Sequence, residues 1–298
     1  MLGLYHRSVM KNFFDTKTKR ILLGIVVLFL ICNGVVWHAV YTESQRKELT
    51  VAFLDIGQGD SIFIEAPNGN QILIDAGPNA KVLSELGKVM PWYDKTIDMI
   101  IATHPDQDHV GGFVEVLKRY KIEYELEPGV KSETQTSKVI HELIKKDSVK
   151  TYVARRGMKI ELDDGVVITI LYPDTDAYDV KTNDASIVAR LTYGETEVML
   201  TGDAPIKSEK EILAYKENIQ SDILKVGHHG SKTSTSMEFV KAVNPTYAVI
   251  SSGRGNRYGH PNQETLDVLA QFPVEVLRTD QMSAIVIKSD GRKFVLKK

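Results

Sequence analysis

Ile97-Asp98-Met99-Ile100-Ile101-Ala102-Thr103-His104-Pro105-Asp106-Gln107-Asp108-His109 is the stretch that decides how this chain folds. A mostly apolar run, Ile97 to Ala102, leads directly into four potential metal ligands within six residues. The run predicts a buried strand ending at Ala102, with the ligands on the loop that leaves its end. The spacing H-x-D-x-D-H lets one loop give His104 and Asp106 to one metal ion and Asp108 and His109 to a second. Neutral imidazoles and carboxylates suit Zn²⁺, Mn²⁺ or Fe²⁺. A polar surface turn could also carry two His and two Asp, but other candidate ligands recur downstream.

Five further segments read as loops at strand ends. Leu73-Ile74-Asp75-Ala76-Gly77 places an Asp before Gly, which alone is more often a turn residue. Leu200-Thr201-Gly202-Asp203-Ala204 follows an apolar strand and precedes a helix, so Asp203 is either a helix cap or a ligand. Leu224-Lys225-Val226-Gly227-His228-His229-Gly230-Ser231 sets two adjacent His between glycines, which packing explains poorly. Gly253-Arg254-Gly255-Asn256-Arg257-Tyr258-Gly259-His260-Pro261 carries cations and a further His, and Asn183-Asp184-Ala185-Ser186 precedes another strand.

The sequence has 298 residues, 43% apolar and 26% charged, an ordinary globular composition with a net charge of −2. Residues 1–20 hold five Lys/Arg (Arg7, Lys11, Lys17, Lys19, Arg20) against Asp15 alone, and residues 21–40 hold no charge. Residues 41–298 therefore carry 32 basic and 38 acidic residues, net −6, which excludes a strongly basic nucleic-acid binder. Residues 21–40, ILLGIVVLFLICNGVVWHAV, span roughly 30 Å as a helix, the thickness of a bilayer core. The basic flank predicts a cytoplasmic N-terminus and an outward-facing body. A cleaved signal peptide is the rival reading; the long basic segment and the lack of an A-x-A site favour an uncleaved anchor. The expected organisation is a basic cytoplasmic segment at 1–20, a transmembrane anchor at 21–40, a linker at 41–48 and one α/β domain at 49–298. Cys32 is the only cysteine and lies in the apolar segment, so the body has no disulfide, thiolate ligand or thiol nucleophile.

Predicted strands are 49–56, 61–66, 70–75, 97–103, 166–172, 186–193, 196–201, 222–227, 246–251, 274–277, 284–288 and 293–297. Predicted helices are 79–89, 110–120, 134–146, 205–219, 235–243 and 263–271.

LIDAG, THPDQDH, LTGD and GHHGS, in that order, resemble the metallo-β-lactamase fold hydrolases. H-x-D-x-D-H, LTGDA, LKVGHHGS and GRGNRYGHP are similar to the external β-lactamase-like domain of the ComEC competence family, over about residues 49–297. The resemblance implies a four-layer αββα sandwich with metals at one rim. It implies His104 and Asp106 on a first metal, Asp108 and His109 on a second, Asp203 bridging both and His228 completing the second. Asp75 would orient the loop from behind, and Asn183 stands near the place of a His usual in the family. Asp106 also departs from the usual His; the extra carboxylate makes the site harder and raises the odds of Mn²⁺ over Zn²⁺. One or two ions per chain are expected.

The expected function is a membrane-anchored, extracytoplasmic phosphodiesterase or nuclease, linked to DNA uptake, in which a metal-activated hydroxide attacks phosphorus. Asp108, His229 and His260 are the expected catalytic residues, the two His as proton donors or substrate contacts. Lys232, Arg254, Asn256 and Arg257, with Lys225, are expected to bind an anionic phosphate. A phosphoester, DNA included, and the membrane are the expected partners, and nothing points to an obligate protein partner. The alternatives are a hydrolase of a cell-wall phosphocholine ester or a lactone, and a non-catalytic DNA-binding envelope protein.

Overall fold

The structure, a computed structural model, describes residues 16–44, 48–163 and 165–297. Most of the basic segment and residues 45–47 of the predicted linker lie outside the described residues. Two units separate, Met1–Lys47 and Glu48–Lys298. In the first, helix α1 (Thr16–Ser44) carries a 22-residue stretch, Lys17–His38, of mean hydropathy 2.4. Its large apolar side chains are exposed within the unit, unlike those of a core helix, and it is long and apolar enough to cross a membrane.

The second unit opens with β1 (Leu49–Phe53), β2 (Ile62–Glu65) and β3 (Gln71–Ile74), followed by α2 (Lys81–Val89), β4 (Thr96–Ile101), α3 (Gln107–Val110), α4 (Phe113–Arg119), β5 (Lys121–Glu127), α5 (Gln135–Lys146) and β6 (Lys150–Val153). A similar succession follows: β7 (Lys159–Asp163), β8 (Val166–Tyr172), β9 (Val188–Tyr193), β10 (Thr196–Leu200), α6 (Ile206–Ala214), β11 (Ile223–Lys225), α7 (Met237–Val243), β12 (Tyr247–Ile250), α8 (Gln263–Leu269) and β13 (Glu275–Arg278). The chain then turns through α9 (Thr279–Met282) and returns as β14 (Ile285–Ser289) and β15 (Phe294–Lys297).

One sheet runs β15-β14-β1-β2-β3-β4-β5-β6 and the other β13-β12-β11-β10-β9-β8-β7. In each, antiparallel pairing gives way to parallel pairing, at β3 in the first and β10 in the second. Alternation along the strands builds three cores. Val51, Ile62, Ile64, Ile72 and Ile74 meet Ile168, Leu191, Val198 and Leu200 between the sheets. Their neighbours Ala52, Phe63 and Leu73 face the other way, packing with Val82, Leu86, Phe113 and Ile140 of α2, α4 and α5. Val188, Met199 and Leu224 pack with Ile212, Phe239, Val240 and Leu269 of α6, α7 and α8. Strands buried on both faces read as continuous apolar runs, which made them visible in the sequence. The layers are helix, sheet, sheet, helix: the expected αββα sandwich.

Three strands lacked that signal. β5 is Lys-Ile-Glu-Tyr-Glu-Leu-Glu, β6 lies at the sheet edge with every residue exposed, and β7 alternates charge with apolar residues. The helix predicted over 205–219 stops at Ala214, where the chain turns through Lys216 at positive φ. The helix predicted over 110–120 is α3 and α4, divided at Gly111-Gly112. A Cβ on Gly112 would lie 2.1 Å from the Ala76 carbonyl oxygen, so glycine lets this loop pack on the Asp75–Gly77 turn.

Candidate metal centre

The parallel halves of both sheets end at the same rim, the usual place for ligands in such sheets. Asp75 follows β3, His104 to His109 follow β4, Asp203 follows β10, and His228 and His229 follow β11. Asp75, His228 and His229 all have positive φ, between 49° and 56°. Side-chain-bearing residues hold this conformation only where the surroundings enforce it.

Asp203 lies at the middle and is buried. Its Oδ1 is 3.3 Å from His109 Nε2, and its Oδ2 is 3.5 Å from His228 Nε2, 3.6 Å from His229 Nε2 and 3.9 Å from His104 Nε2. Asp108 Oδ2 lies 3.4 Å from His229 Nε2, and Asp106 Oδ2 lies 3.7 Å from His104 Nε2. Ligands about 2.1 Å from a tetrahedral ion stand ~3.4 Å apart, so these spacings match a metal's coordination edge. The Nε2 atoms of His104, His109 and His229 and Oδ1 of Asp203 are buried without hydrogen-bond partners. Four such donors left without partners at one rim would be costly unless metal ions satisfied them.

The tautomers agree with ligation. His109 Nδ1 donates to Asp75 Oδ2 at 2.7 Å, and His229 Nδ1 donates to the Ser251 carbonyl at 3.1 Å. With Nδ1 so engaged, Nε2 is in each imidazole the nitrogen turned toward Asp203. Asp75 also accepts from Thr103 N and Thr103 Oγ1, at 2.8 and 2.7 Å, and so ties the metal loop to β3. Burial would push the Asp203 carboxyl up, but His229 and His109 hold it well below the usual range. Burial would lower His229, but Asp203 and Asp60 raise it to about 9, and similar forces raise His109. Burial and the neighbouring His109 push His104 down. A metal ion would displace the protons held on His109 and His229.

The family model of the metallo-beta-lactamase superfamily matches residues 54–254. The chain belongs to the metallo-beta-lactamase superfamily. ComE operon protein 3 of Bacillus subtilis is 34% identical over 92% of this chain and 37% of its own length. Competence protein ComA of Neisseria gonorrhoeae is 30% identical over 80% of this chain and 32% of its own, and Recombination protein 2 of Haemophilus influenzae 31% over 85% and 30%. The chain thus spans about a third of the length of these curated relatives. Among solved structures, CmlA, a diiron beta-hydroxylase from Streptomyces venezuelae, superposes with a TM-score of 0.51 at 12% identity, covering 80% of this chain and 53% of CmlA. A long-form RNase Z from yeast gives 0.50 at 14%, covering 83% and 42%. Both show the shared fold. A metallo-beta-lactamase hydrolase related to the ComEC competence proteins implies bound metal ions, and the donors described above fit them.

Within this metallo-beta-lactamase domain the remaining sequence candidates separate. His228 is partly exposed, and its Nδ1 is 3.1 Å from Thr233 Oγ1. His260 lies beside it, the rings 5.6 Å apart, with a buried Nδ1 that has no partner. Arg254 and Arg257 are exposed; Arg254 donates to the Asp280 carbonyl, and Arg257 lies over the Tyr258 ring. Asn256 knits its own loop, donating to the Gly253 and His260 carbonyls and accepting from the amides of Tyr258 and His260. Lys232 reaches toward Glu264. Asn183 begins a short 3₁₀ turn; three residues on, Ser186 Oγ accepts from the Asp203 amide at 3.3 Å.

Lys225 departs from the sequence reading. It is fully buried rather than at the rim, and its Nζ lies 2.8 Å from Asp60 Oδ2. Asp60, in the β1–β2 loop, was not singled out, although Gly57-Gln58-Gly59-Asp60 punctuates two apolar strands. One donor atom each of Asp60, His109, Asp203 and His229 lies within 4.8 Å of the others. The lysine cation on Asp60 sets this carboxylate apart from the other three.

Proposed function

We propose that this protein is a membrane-anchored phosphodiesterase whose domain faces outward and acts on phosphodiesters such as DNA. The observation that carries this reading is the placing of the Arg254–His260 loop, with two exposed guanidiniums, beside the His228–Asp203 side of the centre. Guanidinium groups match phosphate oxygens in geometry and charge. Three carboxylates among the donors, Asp106, Asp108 and Asp203, favour Mn²⁺ over the softer-ligand preference of Zn²⁺. When bound, the metal supplies Lewis acidity and an activated water.

The chain's own residues do the rest. Asp75 and Ser251 orient the imidazoles of His109 and His229. Arg254 and Arg257 hold the phosphate. His260, with burial and the neighbouring His229 lowering its pKa, stands at the edge of the centre, positioned to exchange a proton with a leaving oxygen. The apolar helix α1 anchors the chain, and its basic flank keeps the N-terminus in the cytoplasm.

The test is turnover of bis-p-nitrophenyl phosphate and of single- and double-stranded DNA by the purified protein loaded with Mn²⁺ or Zn²⁺. Metal-dependent cleavage is expected. Absence of turnover on every phosphoester with a stoichiometrically loaded protein would overturn the reading.

A further inference from the structure

Lys225 ends β11 in one sheet and Asp60 precedes β2 in the other, so their ion pair joins the two sheets beneath the centre. Neither side chain is more than 2% exposed. A buried pair of this kind is at best about neutral for stability, and an apolar side chain of lysine's length would fill the space as well. Asp60 is also tied to the centre through its backbone. Its amide donates to the Asp108 carbonyl at 3.3 Å, and its carbonyl accepts from Gly77 N at 2.8 Å.

The two carboxylate oxygens have different surroundings. Oδ2 is 2.8 Å from Lys225 Nζ, which also donates to the Val226 carbonyl. Oδ1 has no hydrogen-bond partner and lies 3.3 Å from His229 Nδ1. That nitrogen carries the hydrogen donated to Ser251, and the opposite nitrogen faces Asp108 and Asp203.

We propose that the buried Lys225–Asp60 pair is a positioning device for His229, setting a fixed negative charge behind Nδ1–H so that Nε2 is the nitrogen offered to the metal. Lys225 acts through Asp60. It pins Oδ2, and its charge keeps the carboxylate from becoming a metal ligand itself. Without the cation, Asp60 Oδ2 is a buried carboxylate oxygen with no counter-charge, which is costly, and nothing pins the carboxylate in place behind His229. The proposal goes beyond the phosphodiester reading and holds whichever ester the centre cleaves.

The test reads metal uptake and ring tautomer, not turnover, so its failure is distinguishable from failure of the proposed activity. Zn²⁺ and Mn²⁺ titrations of the full chain are compared for wild type, Lys225→Met, Asp60→Asn and the double variant, with folding followed by circular dichroism. Each single variant is expected to weaken binding by about 10- to 100-fold, and the double variant no further than the worse single one. Binding by folded Lys225→Met as tight as wild type would overturn the proposal. Tighter binding would overturn it too, and would make Asp60 a ligand that the lysine repels. Nitrogen-15 NMR of the zinc-loaded wild type needs no variant. His229 is expected to be protonated at Nδ1 and not at Nε2, and the reverse assignment sinks the idea even if neither variant folds.

Discussion

Asp203 faces four imidazoles with two oxygens, so its loss leaves every donor pair without its shared partner. Asp203→Ala is expected to bring bound metal well below one ion per chain and to cut phosphodiester turnover about a thousandfold, ~4 kcal/mol of barrier. Metal content by mass spectrometry and turnover check the two effects together. His260 tests a different role. Its ring adjoins His228 but makes no close approach to Asp203, so His260→Gln should leave metal content unchanged. Loss of a proton donor then lowers kcat by about 10²-fold with KM little changed. A parallel loss of metal would show that His260 is part of the metal shell.

At the scale of elements, the centre depends on loops that approach closely. Gly59 has φ +125°, and a Cβ there would lie 2.0 Å from the Asp108 carbonyl oxygen. Gly59→Ala must shift either the β1–β2 loop or the metal loop. A loss of more than ~2 kcal/mol in urea unfolding, with weaker metal binding, is the expected result. The α6 helix secures the other side. Its buried Glu209 accepts from the amides of Thr235 and Ser236, which close the turn after the paired histidines. Glu209→Ala strands two buried N–H groups, at about 1–3 kcal/mol each. A lowered midpoint with an unchanged urea slope would fit that mechanism, and an unchanged midpoint would contradict it.

On the scale of the whole molecule, stability and location are set away from the centre. Glu125 on β5 is buried, and burial raises its carboxyl to about 7, with Thr151 Oγ1 donating to it. Between pH 4.5 and 7 the unfolded chain releases this proton while the folded chain keeps it, so stability falls as pH rises through that window. Glu125→Gln removes the effect. It should raise the melting temperature above pH 7, by up to ~3 kcal/mol in stability, and make no difference near pH 4. The proposed membrane location rests on α1. Because residues 48–298 form their own compact unit, deleting residues 1–47 should move the protein from the membrane to the soluble fraction with its thermal transition retained.

The alternation of strands and helices was enough to read an α/β domain, and the family resemblance carried by its motifs implied the sandwich and most of its rim. Strands buried on both faces are apolar throughout, and His104 to His109, Asp203 and the paired histidines each follow one directly, so chain order was enough to bring them to one edge. The sequence by itself also determined the apolar span of α1, because hydropathy over twenty residues needs no tertiary context. Only the tertiary structure decided the rest. β5, β6 and β7 are strands because of the neighbours they pair with, not because of their own charged residues. Lys225 reads as a surface cation until the sheets close and bury it against Asp60, 165 residues earlier in the chain. Whether His228 or His229 faces Asp108 depends on backbone angles and on the Ser251 carbonyl, and local sequence encodes neither. The run from Ile97 to His109 placed the ligands; the packing of two sheets, which buries Nε2 of His104, His109 and His229 without hydrogen-bond partners, gathered them into a metal centre.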